Sequence, residues 1–273
     1  MNKLEELKRQ WTADENYRPE TQQRIWDRAA QSYGAIPIPT FADNYFLRYI
    51  EQTLPLTDDL TTLDIGCGSG VYSMALAPRV GQAIGVDISP KMIEYANARS
   101  KELGLDNAKF HCVDWSLADI DALGFCGAFD VVFAHMTPAV ADFHTFDKMN
   151  ACCRNVCLME KPTRRKDQLQ DEVFRLIGLD RSEQQYHGGV LQAFSYLWHK
   201  GYCPQFYYHD AVWESEKTVE DMAVLFIDRA KLHRELTATE EKTIRAYVAQ
   251  RAVDGIVRET TTTTKVTMIW SVK

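Results

Sequence analysis

The sequence of 273 residues lacks several features that would assign it to a specialised class of protein. No apolar run approaches the ~20 residues of a membrane span, and the first residues contain no apolar core of a signal peptide. With 31 Lys and Arg against 38 Asp and Glu, the net charge of -7 argues against a dedicated nucleic-acid-binding protein. We therefore expect a cytoplasmic, globular protein with neither a membrane nor a nucleic acid as its partner.

Paired cysteine spacing, the mark of disulfide frameworks and of many zinc sites, is also missing. The seven cysteines are odd in number, and no two of them stand in a C-x-x-C pair. Cys152, Cys153 and Cys157 are close together but lie at the start of a predicted buried strand, where a thiol acts as a small apolar side chain. We expect free thiols and no metal site.

The central part of the chain, from Thr61 to Glu160, alternates β-rich and helical segments. Ser89 and Pro90 have the residue types of an N-cap and a first helical position, which predicts a helix that begins there. Such alternation predicts an α/β fold, with a mostly parallel sheet, right-handed crossovers and helices on both faces.

The two ends of the chain predict additions to this core. Residues 1–56 are expected to form an N-terminal helical cap, whose last helix spans roughly residues 43–53. Residues 57–273 then form the main domain, which ends in predicted strands at 205–213 and 261–273. A helical insertion at about residues 217–258 separates these two strands and is expected to act as a lid.

The most informative stretch is LDIGCGSG, Leu63 to Gly70, in which an apolar strand runs into three alternate glycines. Glycine lets the backbone turn tightly and approach a ligand. Asp87 ends the next predicted strand, where a carboxylate is placed to accept hydrogen bonds from a ribose diol. Together they predict a nucleoside-containing cofactor at the carboxyl edge of the sheet.

A nicotinamide dehydrogenase is the rival interpretation of this turn. Its G-x-G-x-x-G fingerprint requires a third glycine at position 71, where this chain has Val71. The fingerprint therefore fails.

From Leu63 to about Pro162 the chain resembles the class I S-adenosylmethionine-dependent methyltransferases. Four of that family's motifs occur in order: the glycine turn, Asp87, Asp114-Trp115, and the strand Phe129 to Phe133 with the loop His135 to Pro138. The resemblance implies a seven-stranded, mostly parallel Rossmann-like sheet. It also implies an enzyme that uses S-adenosylmethionine and releases S-adenosylhomocysteine.

The resemblance also implies roles for individual residues on the cofactor. The glycine backbone would contact the methionyl part, Asp64 its ammonium, Asp87 the ribose and Asp114 the adenine amine. The adenine ring would be flanked by Ile88 and covered by Met92 or Trp115. The predicted cofactor-binding residues are Tyr33, Asp64, Gly66, Gly68, Gly70, Asp87, Ile88, Met92, Asp114, Trp115 and His135. For Tyr33, contact with the methionyl carboxylate and simple helix packing both remain open.

His135 ends the fourth strand, beside the expected point of methyl transfer. It could act as a general base for a hydroxyl, thiol or amine, or only line the pocket. The same alternatives hold for Asp142 and His144. Glu160 and Lys161 end the fifth strand and could serve only to fix the rim of the site. The basic residues Lys161, Arg164, Arg165 and Lys166 could bind an anionic substrate or form a solvated helix start.

The loop after the fourth strand lacks the Asn/Asp-Pro-Pro-aromatic motif of enzymes that methylate exocyclic or amide nitrogens. The absence of this motif, together with the two covering elements formed by the N-terminal helices and the helical insertion, favours a small-molecule acceptor. Methyl transfer would then be an in-line displacement in which the protein supplies mainly proximity and orientation. A protein or RNA methyltransferase and a non-catalytic cofactor-binding protein stay as alternatives. Neither the acceptor atom nor the oligomeric state follows from the sequence.

Overall fold

The computed structural model describes residues 3–12, 18–179 and 189–272. They form a seven-stranded sheet in the order β3-β2-β1-β4-β5-β7-β6. Strands β1 to β5 pair in parallel, whereas β7 is antiparallel to both of its neighbours. The predicted sheet is thereby confirmed, and its strands are β1 (Thr61–Ile65), β2 (Gln82–Asp87), β3 (Ala108–Cys112), β4 (Phe129–His135), β5 (Cys153–Asp167), β6 (Gln205–Thr218) and β7 (Ile256–Ser271).

Helices pack on both faces of this sheet, as predicted. Those of the described residues are α1 (Lys3–Gln10), α2 (Pro19–Gly34), α3 (Tyr45–Thr53), α4 (Val71–Leu76), α5 (Pro90–Glu102), α6 (Phe143–Cys152), α7 (Gln168–Leu176), α8 (Val190–His199), α9 (Val219–Lys231) and α10 (Ala238–Gln250). Helix α5 begins at Pro90, and the Ser89 side chain accepts a hydrogen bond from the Met92 amide at 3.1 Å. The predicted N-cap is therefore confirmed.

The apolar strand β4 shows how the two faces are filled. Val131 and Phe133 belong to the cluster that contains α3, α4 and α5, whereas Val132 and Ala134 belong to the cluster on the other face with α1, α6 and α8. Since both faces are covered by helices, successive residues of a central strand are all buried. This explains the uninterrupted apolar run of its sequence.

The N-terminal helices take part in both faces. On α3, Phe46, Leu47 and Ile50 are fully buried in the core. On the other face Trp11, which follows α1, donates its indole N–H to the Ala141 carbonyl at 2.8 Å.

Strand β5 continues beyond the end of its parallel neighbour. Its pairing with β4 stops at Glu160, opposite His135, but its pairing with β7 continues to Asp167. Strand β6 follows β7 along its full length, to Thr218 opposite Ile256. The two last strands are therefore longer than predicted, and the three strands β5, β7 and β6 project past the carboxyl edge of β1 to β4.

This projection carries a third apolar cluster, built from α7, α9, α10 and Val257. We call these three helices the lid. The predicted insertion contained α9 and α10, but α7 comes from the earlier connection after β5, so two separate parts of the chain build the lid.

Helix α2 connects the lid to the helix that follows β2. From α2, Arg24 pairs with the buried Asp228 of the lid at 3.2 Å, and Arg28 pairs with the same carboxylate. Further along, the Ser89 hydroxyl donates to Asp27 of α2 at 2.5 Å. Helix α2 and the lid therefore stand over the same edge of the sheet.

No described helix combines the length and apolar character needed to cross a bilayer. Within residues 3–12, 18–179 and 189–272 no group of His, Cys, Asp and Glu is arranged to hold a metal ion. The seven cysteines form no disulfide bonds, and Cys152 and Cys157 lie fully buried in the core.

Replacing Asp130 by alanine should lower the free energy of unfolding by about 2–3 kcal/mol, the cost of removing charged, buried hydrogen bonds. This carboxylate accepts two hydrogen bonds from Arg154 at 2.7 and 2.6 Å, one from Asn155 at 2.7 Å and one from the Thr61 amide at 3.0 Å. Urea unfolding at neutral pH measures the loss.

The pKa of Asp130 is lowered by the hydrogen bonds from Arg154, against the opposing effect of burial. Its contribution to stability is therefore complete above the unfolded pKa of about 4 and disappears as the pH falls through the folded value. As a control, Glu216→Ala breaks an exposed pair with Arg258 and should cost below about 1 kcal/mol. Equal losses in the two variants would contradict the prediction.

Candidate active site

The glycine turn lies between the carboxyl end of β1 and the start of α4. Gly66, Gly68 and Gly70 have φ angles of 71°, 54° and 76°, in the left-handed region that favours glycine. A Cβ on Gly66 would lie 2.0 Å from the Thr137 hydroxyl, and one on Gly70 would lie 2.4 Å from the Phe110 ring. Two of the three glycines are therefore also required by packing inside the protein.

Gly68 differs because an added Cβ would meet only ordinary van der Waals contacts. The nearest atom to an added Cβ would be Tyr33 Cδ1 at 3.8 Å, followed by the Met92 sulfur at 4.0 Å. Tyr33 reaches this position from α2, and its carbonyl accepts a hydrogen bond from the Ser69 hydroxyl at 2.8 Å. The structure thus brings Tyr33 over the middle of the glycine turn, where both of its predicted roles are compatible with its position.

Asp87 is in direct contact with the glycine turn. One carboxylate oxygen accepts from the Gly68 amide at 2.9 Å and the other from the Ser89 amide at 2.9 Å. Burial raises the pKa of Asp87, although these two hydrogen bonds favour its charged form. The two parts of the predicted cofactor site, seventeen residues apart in sequence, are thereby joined.

Asp64 lies beneath the same turn and is almost fully buried. Its only hydrogen bond from a side chain of the described residues comes from the Ser73 hydroxyl at 3.1 Å. Burial raises the pKa of Asp64 to about 8. A cation placed nearby would favour the charged form of this carboxylate.

The predicted adenine end of the site is only partly as expected. Asp114 and Ile88 are half-buried, and Asp114 accepts hydrogen bonds from the Ser116 amide at 2.9 Å and hydroxyl at 2.6 Å. Trp115 is 2% exposed and donates its indole N–H to the Thr145 carbonyl at 3.0 Å. Its predicted place over an adenine ring is therefore corrected, because the indole packs in the core. Met92 is also fully buried, under the turn.

His135, at the end of β4, is held by a group of polar side chains that the sequence motifs do not show. Its Nε2 atom lies 3.2 Å from Glu160 Oε1 and 3.1 Å from the Tyr72 hydroxyl. Glu160 is fully buried at the matching position of β5 and accepts from Tyr45 at 3.0 Å and from Thr267 at 2.6 Å. Glu160 is thus the centre of a buried network that holds His135 at its edge.

Burial alone would raise the pKa of Glu160. The hydrogen bond from His135, with smaller contributions from Thr267 and Lys265, outweighs that effect and lowers the pKa of Glu160. Glu160 is therefore an ionised carboxylate at neutral pH.

The basic run lies on β5 and is a strand rather than a helix start. Lys161 and Arg165 make structural contacts, whereas Arg164 and Lys166 are exposed. Lys161 is buried and donates to the Thr137 carbonyl at 2.6 Å, and burial lowers its pKa to about 8. Arg165 pairs with Asp167 at 2.7 Å. Lys161 therefore fixes the loop after β4, in agreement with a role at the rim and not with a grip on an anionic substrate or a solvated helix start.

Two further candidates lie outside the site. Asp142 caps α6, where it accepts from the Thr145 amide at 2.9 Å, while His144 on the first turn of that helix is exposed. Sequence reasoning missed Tyr72 and Thr267, and it took Tyr45 only as a possible apolar wall of the pocket. Only Tyr72 has a local signal, since it follows the last glycine of the turn by two positions.

Gly66→Ala should lower the free energy of unfolding by about 2–5 kcal/mol. Adopting a left-handed φ costs an alanine roughly 1–2 kcal/mol, and the clash with Thr137 adds about 1–3 kcal/mol of overpacking. Gly104→Ala is the matched control, because its φ of 67° is similar and no atom lies within 4 Å of an added Cβ. Urea unfolding of both variants isolates the clash, and equal losses would show that Thr137 does not constrain the turn.

Residues 56–165 match the family model described as a methyltransferase domain. A ubiquinone biosynthesis O-methyltransferase of Leptothrix cholodnii is 36% identical over 64 residues, which are 23% of this chain and 27% of that protein. The chain thus spans about a quarter of that relative's length. Similarly short matches join it to RNA uracil methyltransferases, with 35% identity over 63 residues for one from Alcanivorax borkumensis.

Two longer matches cover most of the chain. An uncharacterised methyltransferase of Schizosaccharomyces pombe is 23% identical over 222 residues, 72% of this chain and 74% of that one. The solved phosphoethanolamine N-methyltransferase 2 of Haemonchus contortus has the same fold, with a TM-score of 0.53 and 14% identity. The match covers 96% of this chain and 60% of that one. Residues 56–165 therefore form a methyltransferase domain of the class I S-adenosylmethionine-dependent type.

Proposed function

We propose that the protein transfers the methyl group of S-adenosylmethionine to a small-molecule acceptor by in-line displacement. The observation that carries this proposal is the double cover of the carboxyl edge. Helix α2 and the lid stand over the edge that holds the glycine turn, and Asp228 of the lid pairs with Arg24 and Arg28 of α2. An enclosed site suits a small acceptor, because enclosure excludes water and orients the reactants.

The residues at the glycine turn fit the cofactor. The lack of a side chain at Gly68 leaves room for the methionyl part against the backbone. An ionised carboxylate has about four lone-pair sites, and the Gly68 and Ser89 amides use two of those on Asp87, so the rest are available to a ribose diol. Asp64 would stabilise the methionyl ammonium and Asp114 would accept from the adenine amine. When bound, the cofactor supplies an activated methyl group on a sulfonium.

His135 is the residue placed to act as the general base. It lies at the end of β4, and the next loop contacts the glycine turn where Thr137 meets Gly66. Its ring lies against Tyr72, which stands two residues beyond the turn, with ring centroids 4.2 Å apart. A base at this position is close to the part of the site that the methionyl group would occupy.

An RNA acceptor is the alternative that the short matches to RNA methyltransferases support. It would require an exposed basic surface beside β4. Of the basic run on β5, Lys161 is buried on Thr137 and Arg165 is paired with Asp167, which leaves Arg164 and Lys166 exposed. Two exposed cations make a small basic surface for an RNA. The small-molecule acceptor is therefore favoured, as the name of the ubiquinone relative also suggests. A non-catalytic binder of the cofactor would keep the turn and Asp87 but transfer nothing.

Asp87→Ala should weaken the binding of S-adenosylhomocysteine by about 10- to 150-fold. The loss of charge-assisted hydrogen bonds to the ribose is worth about 1.5–3 kcal/mol. Titration calorimetry measures the affinity. Asp59→Ala is the matched control, because Asp59 is exposed and precedes β1 at the opposite edge of the sheet. Unchanged affinity in a folded Asp87→Ala protein would remove Asp87 from the ribose role.

The acceptor class can be tested with methyl-labelled S-adenosylmethionine in a fractionated cell extract. We expect the label in molecules that pass an ultrafiltration membrane. Label retained on protein or RNA would instead support a macromolecular acceptor. Tight binding of S-adenosylhomocysteine without any transfer would support the non-catalytic alternative.

A further inference from the structure

We infer that Glu160 is a positioning residue that holds His135 as the tautomer protonated on Nε2, which leaves Nδ1 as the base toward the acceptor. The acceptor would then be a molecule whose nucleophilic atom carries a proton, such as a hydroxyl or a thiol. This inference rests on the proposed function, since it specifies the chemistry of the same site.

The first step is the charge of Glu160. Its carboxylate is fully buried and surrounded by donors, namely the hydroxyls of Tyr45 and Thr267 at 3.0 and 2.6 Å. The Lys265 ammonium lies 3.8 Å away. A carboxylate that receives hydrogen bonds from several donors is stabilised in its charged form and can only accept.

The second step follows from the distance between His135 and this carboxylate. Nε2 lies 3.2 Å from Glu160 Oε1, within hydrogen-bonding distance. Without a hydrogen on Nε2, its lone pair would face the lone pairs of a charged oxygen, which is repulsive. A neutral His135 must therefore carry its hydrogen on Nε2 and donate it to Glu160.

Tyr72 is compatible with this tautomer. Its hydroxyl oxygen lies 3.1 Å from Asn44 Nδ2, from which it accepts, and 3.1 Å from His135 Nε2. The one hydrogen on Nε2 is then shared between the Glu160 and Tyr72 oxygens, and the Tyr72 oxygen accepts from Asn44 as well. Its own hydroxyl hydrogen is then directed away from His135.

The third step concerns the other ring nitrogen. No described residue forms a hydrogen bond with His135 Nδ1, and this atom is not among the buried polar atoms that lack a partner. Nδ1 is therefore accessible to solvent on a side chain that is 17% exposed. Phe46 and Tyr72 pack against the ring, with centroids 4.6 and 4.2 Å away, and fix its orientation.

The transfer step balances with this arrangement. The acceptor atom forms a bond to the methyl carbon as the sulfur–methyl bond breaks, and the electron pair of that bond stays on sulfur as a neutral thioether. The proton of the acceptor atom moves to Nδ1. The resulting imidazolium is stabilised by the Glu160 carboxylate and later releases its proton to water. A thioether or tertiary amine acceptor has no proton to give and would not use this base.

Nitrogen-15 spectra of histidine-labelled protein in complex with S-adenosylhomocysteine test the tautomer directly. Of the seven histidines, His135 is assigned by the signals that disappear in His135→Asn. We expect the Nε2–H form in the unaltered protein. In Glu160→Gln we expect a mixture, because a glutamine amide can also donate to Nε2. An Nδ1–H form in the unaltered protein would overturn the inference, even where Glu160→Gln fails to fold.

Kinetics with the active extract fraction give a second, independent readout. Glu160→Gln should lower kcat by about a hundredfold, the lower range for loss of general-base catalysis, with KM and the affinity for S-adenosylhomocysteine nearly unchanged. Glu216→Gln is the matched control, since Glu216 lies exposed on β6. An unchanged kcat, or a product methylated on a thioether or tertiary amine, would overturn the inference. A lack of transfer by the unaltered protein would overturn the proposed function instead, and the spectra would still decide the tautomer.

Discussion

The antiparallel pairing of β5 with β7 beyond the last residue of β4 determines what stands over the functional edge. Strands β1 to β4 end at the edge that carries the site, whereas β5 continues from Lys161 to Asp167. Over that length β5 pairs only with β7, and β7 pairs in turn with β6. That projection carries the lid and also places β7 side chains beside the end of β4. The lid and the environment of His135 therefore depend on the same backbone pairing.

The network around Glu160 is the second result of that pairing. Thr267 and Lys265 reach the carboxylate from β7, Tyr45 from α3 and His135 from β4. A charge buried this deeply is tolerated because each neighbour is a donor or a cation, and removal of one partner leaves the charge unbalanced. Such a centre fixes the relative positions of three elements of the fold and the orientation of one imidazole ring.

The sequence predicted the sheet, the glycine turn and the place of Asp87 at the end of β2. Those features depend on local patterns: apolar strands, glycine at left-handed positions and a carboxylate at a strand end. The partners of Glu160 and the membership of α7 in the lid could not be predicted, because they depend on which distant segments pair. The predicted place of Trp115 over the adenine ring was wrong for a related reason. A motif gives a residue's place on a loop but not the direction of its side chain.

The three glycines of the turn carry two different constraints. Gly66 and Gly70 exclude a side chain because Thr137 and Phe110 already occupy the space, whereas an added Cβ at Gly68 would meet only ordinary van der Waals contacts. Variation at the outer positions would therefore be removed by failure to fold, before ligand binding came into question. Variation at the middle position would meet no such clash, but it would still cost stability because the backbone of Gly68 is left-handed. A single sequence motif thus combines packing constraints at its two ends with a backbone constraint at its centre, beside the proposed ligand.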